Sequence, residues 1–102
     1  MGNNLPTISV IIPTLNAEKP LAECLKRIVD QDYPKDKYEI IIADGGSTDK
    51  TLEIARKFDA KIVENKLKTG EAGKACGLKA AKNEVIALID SDNYLPRKDW
   101  FK

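Results

Sequence analysis

Four short apolar runs, separated by stretches of helical period, constrain this chain more than any other feature of it. Ile8-Ser9-Val10-Ile11-Ile12 is β-branched, uncharged and closed by Pro13, which is the composition of a strand buried on both faces. Leu21, Leu25, Ile28 and Val29 then recur at helical spacing with Glu23, Lys26, Arg27 and Asp30 between them. That period predicts an amphipathic helix from Lys19 to about Gln31, with Cys24 beside the apolar stripe. A polar loop from Asp32 to Lys37 leads to a second strand, Tyr38 to Ala43, ended by Asp44 and by a sharp turn at Gly45 and Gly46. Asp49 is placed to cap a second helix, about Lys50 to Phe58, whose apolar positions include Leu52, Ala55 and Phe58. A short strand near Lys61 to Glu64, an alanine-rich helix from about Gly73 to Lys82 and a fourth apolar run from Val85 to Ile89 complete the pattern. Alternation of this kind predicts an α/β fold, a Rossmann-like and mostly parallel sheet of about four strands with three crossover helices.

A length of 102 residues is enough for one compact domain and too short for two separate cores, so residues 1–102 are expected to form a single unit. Seventeen basic and sixteen acidic side chains are scattered along the chain, without the basic stripe that nucleic-acid binding requires. Cys24 and Cys76 lie far apart and the sequence has no histidine, so neither a zinc site nor a disulfide framework is signalled, and both thiols are expected to be reduced. No apolar run approaches the roughly 20 residues of a membrane-spanning helix. Met1 to Thr7 shows no export or lipidation signal, so the expected location is cytoplasmic.

Ligands of open parallel sheets settle outside the carboxyl ends of the strands. Three polar segments fall there: Pro13-Thr14-Leu15-Asn16, Asp44-Gly45-Gly46-Ser47-Thr48-Asp49 and Asp90-Ser91-Asp92-Asn93. In an extended segment Asp90 and Asp92 point the same way and present hard carboxylate oxygens suited to Mg2+ or Mn2+, ions commonly held by one or two carboxylates together with substrate phosphates. The same tetrapeptide also reads as a polar turn after a strand, and its position in line with the other two loops favours the ligand reading. At the end of its strand, Asp44 is placed to accept from a ring N–H or a ribose hydroxyl, and Gly45 and Gly46 permit close backbone approach. Lys74, near the start of the third helix, can neutralise a phosphate, although lysines in such places are also common as solvated surface residues. Gly70-Glu71-Ala72-Gly73-Lys74-Ala75 lacks the spacing and the hydroxyl of a P-loop, and no Gly-x-Gly-x-x-Gly, serine nucleophile elbow or histidine triad exists.

In order and in kind, these three segments resemble the motifs of the inverting family 2 glycosyltransferases of GT-A fold, a family that includes dolichol-phosphate mannosyltransferases. Ile8 to Asn16 is similar to the family's opening strand and base-binding loop, Asp44 to Asp49 to its second motif, and Asp90-Ser91-Asp92 to its Asp-x-Asp. The resemblance spans nearly the whole chain. It implies that Pro13, Thr14 and Leu15 line a base pocket, that Asp44 bonds the base, and that Asn16 and Gly45 belong to the same nucleotide site. It further implies that Asp90 contacts ribose or metal, Ser91 lies against the nucleotide and Asp92 coordinates a divalent cation bridging both phosphates. The partner implied is a nucleoside-diphosphate sugar of the UDP, GDP or dTDP type. Three positions depart from the family's pattern: Ala17 stands where Glu is frequent, Ala75 where Asn is common and Asn83 where Gly is usual.

The reaction implied is displacement at an anomeric carbon by an acceptor hydroxyl, with the general base and the acceptor-binding half outside this chain. Donor binding without efficient transfer is therefore expected, together with self-association through the uncovered edge of the strand Val85 to Ile89. Two rival readings are a sugar-nucleotide nucleotidyltransferase fragment, disfavoured because the loop after the first strand is not Gly-rich, and a non-enzymatic excised or designed module of the same fold.

Overall fold

A computed structural model describes residues 5–66 and 70–91. Its elements run β1 (Ile8–Thr14), α1 (Glu18–Val29), a single 3-10 turn (Lys35–Lys37), β2 (Tyr38–Asp44), α2 (Thr51–Lys57), β3 (Lys61–Glu64), α3 (Gly70–Ala80) and β4 (Val85–Leu88). All four strands are parallel, in the order β3-β2-β1-β4. Register runs from Ile8 opposite Tyr38 to Thr14 opposite Asp44, so β1 and β2 end level with one another. The expected α/β architecture is present. The strand order adds that the chain steps outward from β1 through β2 to β3, then returns to the opposite side of β1 for β4.

Side-chain alternation divides β1 between two layers. Ile8, Val10 and Ile12 join Ile40 and Ile42 of β2, Leu21, Cys24, Leu25 and Ile28 of α1, and Ala55 of α2 in one buried cluster. Full burial of each large aliphatic side chain contributes about 1.5–3 kcal/mol, so this layer is the main source of stability. Ile11 and Pro13 face the other way and lie under α3, where Gly73 and Gly77 allow the helix backbone to come close to β1. Ser9, fully buried, donates to Glu39 Oε2 at 2.6 Å and accepts from the Asn83 N–H at 3.2 Å, which pins the return from α3 into β4.

Several boundaries differ from the sequence reading. Pro13 lies within β1 and does not close it. Gly45 N donates to Thr14 O and Ile89 N to Ile11 O, so Pro13, alternating with Thr14, turns its missing N–H toward β4, where pairing has stopped after Leu88. Pro20 falls in the first turn of α1, where its backbone nitrogen needs no intrahelical acceptor. Helix α3 starts at Gly70, three residues before the expected position. Val85, Ile86 and Leu88 are 37–48% exposed, so β4 carries the partly uncovered apolar surface foreseen for it.

Candidate functional site at the carboxyl edge of the sheet

Asp44 is the most completely satisfied polar group at this edge. Its Oδ1 accepts from the Thr14 hydroxyl at 2.7 Å and the Ser47 hydroxyl at 2.5 Å, and its Oδ2 from the backbone N–H groups of Gly46 at 2.9 Å and Ser47 at 2.8 Å. Burial pushes this carboxyl up, but the hydrogen bonds from Ser47, Thr14 and Gly46 outweigh it and hold the group below the usual carboxylate range. A carboxylate has about four acceptor positions, and all are engaged. A ring N–H arriving from a ligand must therefore displace one donor. Of the two hydroxyl donors Thr14 is buried, while Ser47 is half-buried and can leave by a side-chain rotation that also gives up its bond from the Asn16 N–H.

The loops after β1 and β2 are stitched to one another. Asn16, held at φ 50°, accepts from the Thr48 N–H at 2.8 Å through its side chain and donates its own N–H to Ser47 Oγ at 2.8 Å. Helix α1 has no side-chain cap of its own because its N-cap position is Ala17. Its first amides are served by the neighbouring loop instead: Ala17 N donates to Thr51 Oγ1 at 2.9 Å and Glu18 N to Asp49 Oδ2 at 3.1 Å. Glu18 reciprocates by accepting from the Lys50 N–H at 3.3 Å. Asp49 also accepts from the N–H and hydroxyl of Thr51, so it stands one place before the α2 N-cap, Lys50, and serves both helices. The Thr51 hydroxyl is the main cause of an Asp49 carboxyl held below its ordinary range. Leu15, 47% exposed, is left at the mouth of this framework.

In sheets of this type the ligand crevice opens where the strand order reverses, and here that point lies between β1 and β4. Pro13 to Asn16 flank it on one side; Asp90 and Ser91 flank it on the other. Asp90 is exposed, and it is separated from Asp44 by β1, about 10 Å at the usual interstrand spacing. Ile89, immediately before it, is 1% exposed and packs in the α1 cluster. Lys74 sits in the second turn of α3, next to Gly73, which abuts Pro13. One participant escaped the sequence reading: Asn65, 3% exposed after β3, donates its N–H to Asp44 O at 2.8 Å. The four residues before it, Lys61-Ile62-Val63-Glu64, carry two charges and gave no signal that Asn65 would be buried beside Asp44. Asp92 and Asn93 lie outside the described residues.

Among the described residues no group of three acidic, cysteine or histidine side chains converges as a metal cage. An exposed aspartate beside the crevice nevertheless fits a hard divalent ion whose remaining ligands are waters and phosphate oxygens.

The sequence model described as "Glycosyl transferase family 2" matches residues 9–102. The chain belongs to that family. Among relatives of this family 2 domain, a dolichyl N-acetyl-alpha-D-glucosaminyl phosphate 3-beta-D-2,3-diacetamido-2,3-dideoxy-beta-D-glucuronosyltransferase of Methanococcus voltae is 41% identical over 93% of the chain and 32% of its own length. Among solved structures, S. aureus TarS 1-349 in complex with UDP superposes with a TM-score of 0.81 at 34% identity, covering 91% of this chain and 29% of that one. The mannosyltransferase PcManGT from Pyrobaculum calidifontis, in complex with GDP-Man and Mn2+, gives 0.82 at 30% identity, covering 94% and 30%. These neighbours share the GT-A architecture. The domain spans about a third of the length of these relatives, or less. No helix among its described residues is long and apolar enough to cross a membrane.

Proposed function

We propose that these 102 residues are the donor-binding part of a metal-assisted, inverting glycosyltransferase, and that they bind a nucleoside-diphosphate sugar across the crevice between β1 and β4. What supports this reading is the reversal of strand order at β1, with the loops after β1 and β2 and the residues Asp90 and Ser91 after β4 leaving one carboxyl edge. Pro13, Thr14 and Leu15 form the base side, with Asn16, Asp44 and Gly45 fixing the shape of that side. Rotation of the Ser47 hydroxyl opens Asp44 Oδ1 to a ring N–H of the base. Asp90 and Ser91 meet the ribose and diphosphate, Lys74 lies on the phosphate side, and Asp90 with Asp92 holds a divalent cation, Mg2+ or Mn2+. When bound, that cation supplies the positive charge that stabilises the departing nucleoside diphosphate. The acceptor-binding half and the general base lie outside these residues, so the domain alone binds the donor without efficient transfer. The parent enzyme works at a cytoplasmic location, where Cys24 and Cys76 stay reduced.

A thermal-shift screen of UDP, GDP and dTDP, each with and without Mn2+, tests the reading. A true ligand at a hundred times its Kd adds about 2.7 kcal/mol of stability. The expected result is one preferred nucleotide whose increment falls when Mn2+ is withheld and whose metal-dependent part disappears in Asp92→Ala. Equal melting temperatures with and without all three nucleotides would reject the proposal.

A further inference from the structure

We propose that Cys24 is a positioning residue for Asp90, holding the acidic loop after β4 from inside helix α1; this rests on the reading of Asp90 as a metal-contacting group. The body of β4 is a weak anchor for that loop, since Leu88, on its last position, is 48% exposed. Burial returns abruptly at Ile89, and three tethers converge on the exit. The Ile89 N–H donates to Ile11 O at 3.0 Å, the Ile89 side chain enters the α1 cluster, and the Cys24 thiol donates to the Asp90 carbonyl with Sγ to O at 3.8 Å. Cys24 is fully buried at mid-helix, and the N-terminus of the same helix is bonded to Asp49 and Thr51. Helix α1 thus acts as a strut: one end is tied to the loop that follows Asp44, and its middle holds the backbone of Asp90. An aliphatic side chain at position 24 would fill the space but offer the carbonyl no donor.

Calorimetric binding of UDP and of GDP to the 102-residue chain, each with and without Mn2+, gives a metal-dependent gain, the ratio of the two Kd values. A thiol donor is weak, so Cys24→Ala is expected to reduce that gain by about threefold while leaving the metal-free Kd unchanged. Cys24→Val, which fills the site without a donor, is expected to reduce the gain as alanine does, and both variants are expected to move the carbonyl 13C shift of Asp90. An intact gain in Cys24→Ala, even with a lower melting temperature, overturns the positioning role alone, as does an unmoved Asp90 carbonyl 13C shift. Absence of any gain in the wild type overturns the reading of Asp90 and this inference with it. Should the alanine variant fail to fold, Cys24→Val is compared with the wild type under the same criteria.

Discussion

Gly77→Ala sets two effects of opposite sign against each other, and the structure decides between them. Inside a helix, alanine is favoured over glycine by about 1 kcal/mol, so α3 considered alone should gain. A Cβ at position 77, however, would lie 2.2 Å from Ile11 Cγ2, 3.0 Å from its Cγ1 and 3.1 Å from its Cβ. Ile11 is fully buried in β1, between β2 and β4, and cannot retreat without disturbing its strand. Either α3 lifts from the sheet or Ile11 leaves its rotamer. Overpacking of this kind costs about 1–3 kcal/mol, sometimes more, and a contact as short as 2.2 Å belongs at the upper end. The expected net loss is about 2 kcal/mol, or roughly 8–16 °C in Tm for a domain of this size. Thermal melts followed by circular dichroism measure it, and Ile11→Ala should cost less in the Gly77→Ala background than in the wild type, because it removes the crowded Cγ2 and Cγ1. A Gly77→Ala variant as stable as the wild type, or more so, would refute the close approach of α3 to β1.

Asp44→Asn should destabilise the domain by about 1–3 kcal/mol, since the amide oxygen can still accept from the Gly46 and Ser47 N–H groups but the carboxylate charge is lost and the Thr14 and Ser47 hydroxyls must turn from donors to acceptors; a urea titration showing less than about 0.5 kcal/mol contradicts the clasp. Asp44, Asp49 and Glu23 are all held below their ordinary carboxylate values, Glu23 mainly by its bond to Arg27. In each case the folded state binds the proton more weakly than the unfolded state. Their contribution is thus complete above the unfolded pKa of about 4 and lost as pH falls below it. Urea unfolding from pH 7 to pH 3 should show this decline, with a shallower slope in Asp44→Asn, and a flat profile in the wild type argues against it. The partly exposed β4 residues predict weak self-association of the isolated domain, reduced in Ile86→Lys; sedimentation velocity showing one monomeric species at all concentrations rejects it.

Element type was legible along most of the chain because it is a local property. The period of Leu21, Leu25 and Ile28 marked α1, and the β-branched run around Ile11 marked β1, with errors confined to ends such as Pro13 and Gly70. The three family motifs were equally legible, as was the expectation that they share one edge. Their support was not. Ala17 offers no cap in sequence, and only folding brings Asp49 and Thr51, more than thirty residues later, to the amides of α1. Asn65 and Cys24 likewise find their hydrogen-bond partners, Asp44 and Asp90, at a distance in the chain.

By itself, then, the sequence determined which segments are strands or helices and which polar loops follow them, since periodicity and turn chemistry act over a few residues. The order β3-β2-β1-β4, and with it the crevice beside β1, was decided by tertiary packing. Up to Pro13, either edge of β1 presents alternating N–H and C=O groups to an incoming strand. The choice depends on α3 settling against Ile11 and Pro13 through Gly77 and Gly73 while Ile89 enters the α1 layer, contacts that no local stretch of sequence encodes.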